Sequence, residues 1–114
     1  MSTQRMQDAV REVVSLLVQG DYTAIERLSR GRRLTAAELN RSVQRYGRML
    51  VMPPEDAFQH IDVVDVEAPS PTRHGVRVDL WTAQEGRSDL TLELTLTENE
   101  AGSYDLQIDD LHVL

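Results

Sequence analysis

The sequence contains no cysteine. Disulfides, thiolate metal sites and a cysteine nucleophile are therefore all excluded, and the chain suits a reducing cytoplasm. Lysine is also absent, so all twelve basic residues are arginine. Aromatic residues are few: one Trp, one Phe and three Tyr. No run of about 18 apolar residues exists, so no transmembrane helix is expected. The opening MSTQRMQDAVREVV lacks an apolar core with a small-residue cleavage site, so no signal peptide is expected. Neither a glycine-rich phosphate loop nor a G-x-S-x-G elbow is present.

The 114 residues suffice for one domain with one core. The net charge of −7 hides an asymmetry. Residues 1–48 carry nine Arg against five acids, whereas residues 49–114 carry three Arg against fourteen. So acidic a second half repels phosphate and argues against nucleic-acid binding. The arginines of the first half (Arg27, Arg30, Arg32, Arg33, Arg41, Arg45, Arg48) read as a solvated face or as an anion site. They lack the interleaved aromatics of a single-strand stacking platform.

Helical periodicity covers residues 4–19, with Met6, Val10, Val13 and Leu17 on one stripe and Gly20 as its stop. Asp21 caps a short second helix over 22–30, anchored by Ile25 and Leu28. Thr35-Ala36-Ala37-Glu38 is a capping box that opens a third helix over 35–46, with Leu39, Val43 and Tyr46 on its buried face. Residues 49–52 suit a short strand stopped by Pro53-Pro54.

From residue 58 the period becomes two. Four strands are expected over 59–67, 75–82, 88–97 and 103–113. The apolar phases align if Leu80 meets Leu90 and Val78 meets Leu92, which sets Arg77 opposite Glu93 and leaves a five-residue loop, Ala83–Arg87. In the next hairpin Leu96 meets Tyr104, with Glu98–Gly102 as the loop. The alternation breaks at Val63-Val64 and after Ile108, where a β-bulge restores the phase. At the first break the alternative is a strand covered on both sides. Helices followed by an antiparallel meander define an α+β fold, the helices covering one sheet face.

The segment REVVSLLVQGDYTAIERLS resembles the opening of the nuclear transport factor two-like, or SnoaL-like, superfamily. The ending SDLTLELTLTENEAGSYDLQIDDLHVL is similar to its last two long strands. The combination DLW, RSDLTL and IDDLHVL is also similar to an uncharacterised bacterial family. The superfamily resemblance implies a cystatin-like cone with a pocket between helices and sheet, in a group that spans enzymes, adaptors and dimers. It departs from the steroid-isomerase pattern: the first helix carries no Tyr, and SRGRRL offers no general-base carboxylate.

Two sets of candidates follow. The outward sheet phase collects Arg77, Asp79, Trp81, Asp89, Glu93 and Asp105, with Trp81 facing Asp89. It reads either as a solvated outer face or as a surface for a protein partner, basic or a second copy of the chain. The pocket reading would use Tyr46, Tyr22, Asp110 and His112. Asp-Asp-x-His could hold a metal or form an acid/base pair, but His60 and His74 add no metal-ligand spacing, and a structural role is preferred. No metal, cofactor or catalytic residue is assigned, and a non-catalytic binding module of the adaptor or immunity type is the leading expectation.

Overall fold

The computed structural model describes residues 3–66 and 71–113. Three helices lead: α1 (Gln4–Gln19), α2 (Tyr22–Ser29) and α3 (Ala36–Tyr46). A sheet follows, with β1 (Leu50–Val51), β2 (Asp62–Val66), β3 (Arg73–Thr82), β4 (Gly86–Glu98) and β5 (Tyr104–Val113). The fold is thus α+β, helices first and an open antiparallel sheet after. The order across the sheet is β1-β3-β4-β5, and β2 lies beside β1 along the same edge of β3.

Local chemistry sets the helix ends. The Thr3 hydroxyl accepts from the Met6 amide, and Gly20 closes α1 in the left-handed region at φ 74°. Ser2, the other possible cap, lies outside the described residues. In α3 the expected capping box forms: Glu38 accepts from the Thr35 amide at 3.0 Å, and Thr35 Oγ1 accepts from the Glu38 amide at 3.3 Å. The Glu38 carboxyl is held below its ordinary value of 4.5, first by that Thr35 amide and then by the Thr35 hydroxyl. One correction falls on α2. Ile25 is fully buried as expected, but Leu28 is exposed and Ser29 takes the buried place, because α2 ends at Ser29 with Arg30 in the left-handed conformation.

The apolar phase of each long strand meets the helices. Val10, Val13, Leu17, Leu39 and Val43 bury against Val78, Leu80, Leu92, Leu94, Leu96 and Ile108 in one core. Each such side chain contributes about 1.5–3 kcal/mol. The register Val76/Leu94, Arg77/Glu93, Val78/Leu92 forms as read from the sequence.

Other registers differ. Asp79 pairs with Thr91 but Trp81 pairs with Arg87, so Ser88, Asp89 and Leu90 together oppose Leu80. Leu80 does not simply meet Leu90, and the hairpin loop is the three residues Ala83 to Glu85, with Gly86 at φ 74°. In the next hairpin Leu96 meets Leu106 rather than Tyr104, two residues from the expected pairing. A shift of two keeps every side chain on its face, so alternation alone does not distinguish the two registers. The expected bulge after Ile108 is present: Glu93 pairs with Asp110 and Leu94 with Ile108, which leaves Asp109 extra. The expected bulge at Val63-Val64 is not, since β2 pairs with β3 without a break from Asp62 to Val66. Nor is β2 covered on both sides, because Val64 and Val66 are exposed.

The largest correction lies before β2. Residues Glu55–His60 form a 3-10 helix where the sequence reading began a strand at 59. Phe58 explains it. Its side chain is fully buried, with the Arg11 guanidinium 5.0 Å from the ring centre. Arg11 also pairs with Glu55 and, at 2.7 Å, with Asp8. The Glu55 hydrogen bond is the first cause that raises the guanidinium above its ordinary value. The end of the expected first strand, Glu67, lies outside the described residues.

Candidate functional site

The helices leave the other sheet face open. Its side chains come from the odd positions of β3 and β4 and, because the pairing is direct, from Asp62, Val64 and Val66 of β2. On β5 the phase shifts at the Asp109 bulge, so that Asp105, Gln107, Asp109, Asp110 and His112 all serve this face.

Cross-strand polar pairs tile its centre. Arg77 Nε donates to Glu93 Oε1 at 3.2 Å, as the register predicted. Thr91 donates to Asp79 at 3.2 Å, and Thr95 to Asp109 Oδ2 at 2.6 Å. Gln107 holds the other Asp109 oxygen at 2.7 Å, and Arg33 approaches it at 4.0 Å from beyond the β5 edge. Asp105 accepts from the Asn99 side chain at 3.2 Å. Asp62 and Asp89 have no ion-pair partner among the described residues.

Trp81 sits on this face, but not as the sequence suggested. Its neighbour across the ladder is Arg87, and Asp89 is carried away in the β4 bulge. The indole is half-buried. A Cβ on Gly86 would stand 3.8 Å from its Cζ3, so the ring lies directly over that glycine. Trp81 forms part of the floor of a cleft of about 680 Å³ whose far wall is the 3-10 segment with Pro54, Ala57, His60 and Ile61. The cleft follows a gap in the sheet edge: β2 pairs with β3 up to Arg77 and β1 from Trp81, so among the described residues Val78 to Leu80 have no strand neighbour there. Sequence reasoning missed this wall. Its local signal was Pro53-Pro54 followed by Glu55-Asp56, a helix-start pattern rather than a strand one.

The four residues of the pocket reading do not converge. Tyr46 donates to Glu85 at 2.8 and 3.0 Å, at the tip of the β3–β4 hairpin. Burial, and then this hydrogen bond, raise its phenol above the ordinary value. Tyr46 and His112 share a shallow hollow of about 280 Å³, which Tyr22 does not line. Tyr22 packs on the core. Asp110 and His112 turn to the open face, where His112 Nε2 lies 2.5 Å from Glu93 Oε2 and Nδ1 lies 3.5 Å from Asp110 Oδ2. Between α1 and the β4–β5 hairpin a separate hollow of about 440 Å³ carries Arg5, Asp8, Glu12 and Tyr104, none of them marked by sequence pattern.

His74 is a further residue that the sequence left unassigned. It is buried on the helix side of β3, with Nδ1 2.6 Å from Asp65 of β2 and Nε2 3.1 Å from Glu98 of β4. Tyr104 meets its ring edge-on at 6.1 Å. His74 thus joins three strands at one end of the sheet.

A family model described as a domain of unknown function (DUF7668) matches residues 14–114. The chain belongs to the DUF7668 family. The match spans all the strands, the cleft and the open face, and omits only the first part of α1. Comparison with curated proteins and with solved structures gives no match. No helix of the described residues is long and apolar enough to cross a membrane.

Proposed function

We propose that this DUF7668 domain is a non-catalytic protein-binding module of the adaptor or immunity type. Its working surface is the open sheet face, and its partner is a basic protein. The observation that carries this reading is the half-buried Trp81 in an open cleft on a face where carboxylates outnumber arginines. A large aromatic ring gains most from being covered, and charge complementarity selects the partner and speeds its arrival. Among the described residues Asp62, Asp89, Asp105 and Asp110 have no arginine partner, which leaves negative charge for the partner to meet. A twofold sheet-to-sheet dimer would oppose these charges, so a basic partner is favoured over a second copy. The lack of cysteine supports a cytoplasmic setting, and the resemblance to the SnoaL-like superfamily supports a cone whose sheet is free for docking.

The test compares affinity capture from native extract by the wild type, by Trp81→Ala and by the triple variant Asp62→Asn/Asp89→Asn/Asp110→Asn, with light scattering on each. Wild type should retain a basic protein, and both variants should lose it while remaining folded. Equal capture by all three, or a wild-type homodimer that the same variants dissociate, overturns the reading.

A second reading is a small-molecule site in the hollow between α1 and the β4–β5 hairpin. It rests on the Arg5 guanidinium lying 5.0 Å over the Tyr104 ring there, beside Asp8 and Glu12. A thermal-shift screen with Tyr104→Ala as the control tests it: a ligand that stabilises wild type and not the variant supports this site.

A further inference from the structure

We propose that Glu93, Asp110 and His112 form a binding site for a divalent transition-metal ion of the zinc class. One ligand atom from each side chain lies within 4.8 Å of the others. The β5 bulge creates this set. It turns Asp110 onto the open face directly opposite Glu93, and His112, two residues on, shares that face.

The carboxylates are already oriented by their outer oxygens. Glu93 Oε1 accepts from Arg77 Nε at 3.2 Å, and Asp110 Oδ1 accepts from the Leu111 amide at 2.8 Å. The oxygens left over, Glu93 Oε2 and Asp110 Oδ2, both turn to the imidazole. They meet different ring nitrogens, Glu93 Oε2 at Nε2 and Asp110 Oδ2 at Nδ1, and a metal-bound imidazole ligates through one nitrogen while the other keeps its N–H. An ion therefore takes the carboxylate oxygen beside the ligating nitrogen and draws the other carboxylate toward it. Hydrogen bonds to the outer oxygens orient ligating carboxylates in the way usual around a bound metal.

Ligand chemistry narrows the ion. Two carboxylates neutralise a divalent charge. An imidazole in the set favours zinc, cobalt, nickel or copper over magnesium or calcium, which prefer oxygen alone. The set is at the surface, the His112 side chain being 38% exposed and that of Asp110 51%, so an ion can reach it without opening the fold. The other histidine–carboxylate group makes a useful contrast. His74 also has two carboxylates, but it is buried, and its carboxylates do not meet the same convergence.

The test is isothermal titration of metal-stripped protein with zinc chloride, together with the visible spectrum of the cobalt(II) form. One equivalent should bind, with cobalt d–d bands that zinc abolishes. His112→Ala, Glu93→Gln and Asp110→Asn should each weaken binding at least about tenfold, the lower end of what loss of even an outer-shell partner costs, and His60→Ala should leave it unchanged. Circular dichroism identifies any variant that fails to fold, and the folded ones decide. No saturable binding, or binding kept within about twofold in folded His112→Ala, overturns the proposal. Partner capture is not read in this experiment, so its outcome is separate from that of the binding-module reading.

Discussion

Trp81 lies opposite Arg87 across the β3–β4 ladder, and Asp89 lies within a bulge two residues further along β4. Ser88 holds that bulge. Its hydroxyl donates to the Leu80 carbonyl at 2.7 Å and accepts from the Leu90 amide at 3.2 Å. Ser88→Ala leaves both buried backbone groups short of a partner, which should cost about 1–3 kcal/mol. Urea unfolding measures the loss. A change below a few tenths of a kcal/mol would mean that the bulge does not need this side chain.

Phe58 is the only phenylalanine and is fully buried, so the 3-10 wall of the cleft depends on it. Phe58→Ala should destabilise the fold by about 3–5 kcal/mol. Amides of residues 55–61 should exchange faster than those of β4. If the cost were under about 1 kcal/mol, this ring would not be what holds the wall in place.

His74 ties β2 to β3 and β4 through Asp65 and Glu98. His74→Ala removes a buried ring and the partner that Asp65 and Glu98 share. A loss of about 2–4 kcal/mol is expected, with the earliest opening in β2, an edge strand that His74 ties to β3. Hydrogen exchange residue by residue locates it. Uniform protection across β2 and β4 would rule out the tether.

Glu38 provides a pH-dependent prediction. Its folded carboxyl is held below the ordinary 4.5, chiefly by the Thr35 amide. A depressed carboxyl stabilises the fold above its unfolded value, and that contribution fades as pH falls through the folded value. The wild type should therefore exceed Glu38→Ala in urea midpoint by more at pH 7 than at the acid end of its stable range. An unchanged gap between the two conditions would show that the carboxylate charge contributes nothing.

Much of this was legible because its signals are local. Thr35 to Glu38 encode their own cap, Gly20 its own helix stop, and the Val/Leu phase of β3 and β4 its buried face. The Arg77–Glu93 pair followed from one-face alternation, and the Asp109 bulge from an extra residue between Ile108 and Leu111. The pairing of Leu96 was not legible, because registers two apart bury the same residues. Phe58, His74 and Ser88 were missed for a different reason. Each is placed by partners distant in sequence or by backbone groups that no side-chain pattern reveals.

The candidate surface divides in the same way. That Trp81 and the carboxylates share the open face was set by the period of two, which is a property of the chain itself. Whether the indole stands free was decided by the fold: a bulge moved Asp89 away, Arg87 took its place, and a 3-10 helix pinned by Phe58 walled the other side. The convergence of Glu93, Asp110 and His112 likewise exists only after β4 and β5 pair with one residue extra. Sequence alone determined where the three α-helices start, their N-terminal caps and the buried side of each long strand, because those depend on neighbours within about four residues. The cleft and the convergent ligands depend on which strands meet and in what register, and that only tertiary pairing decides.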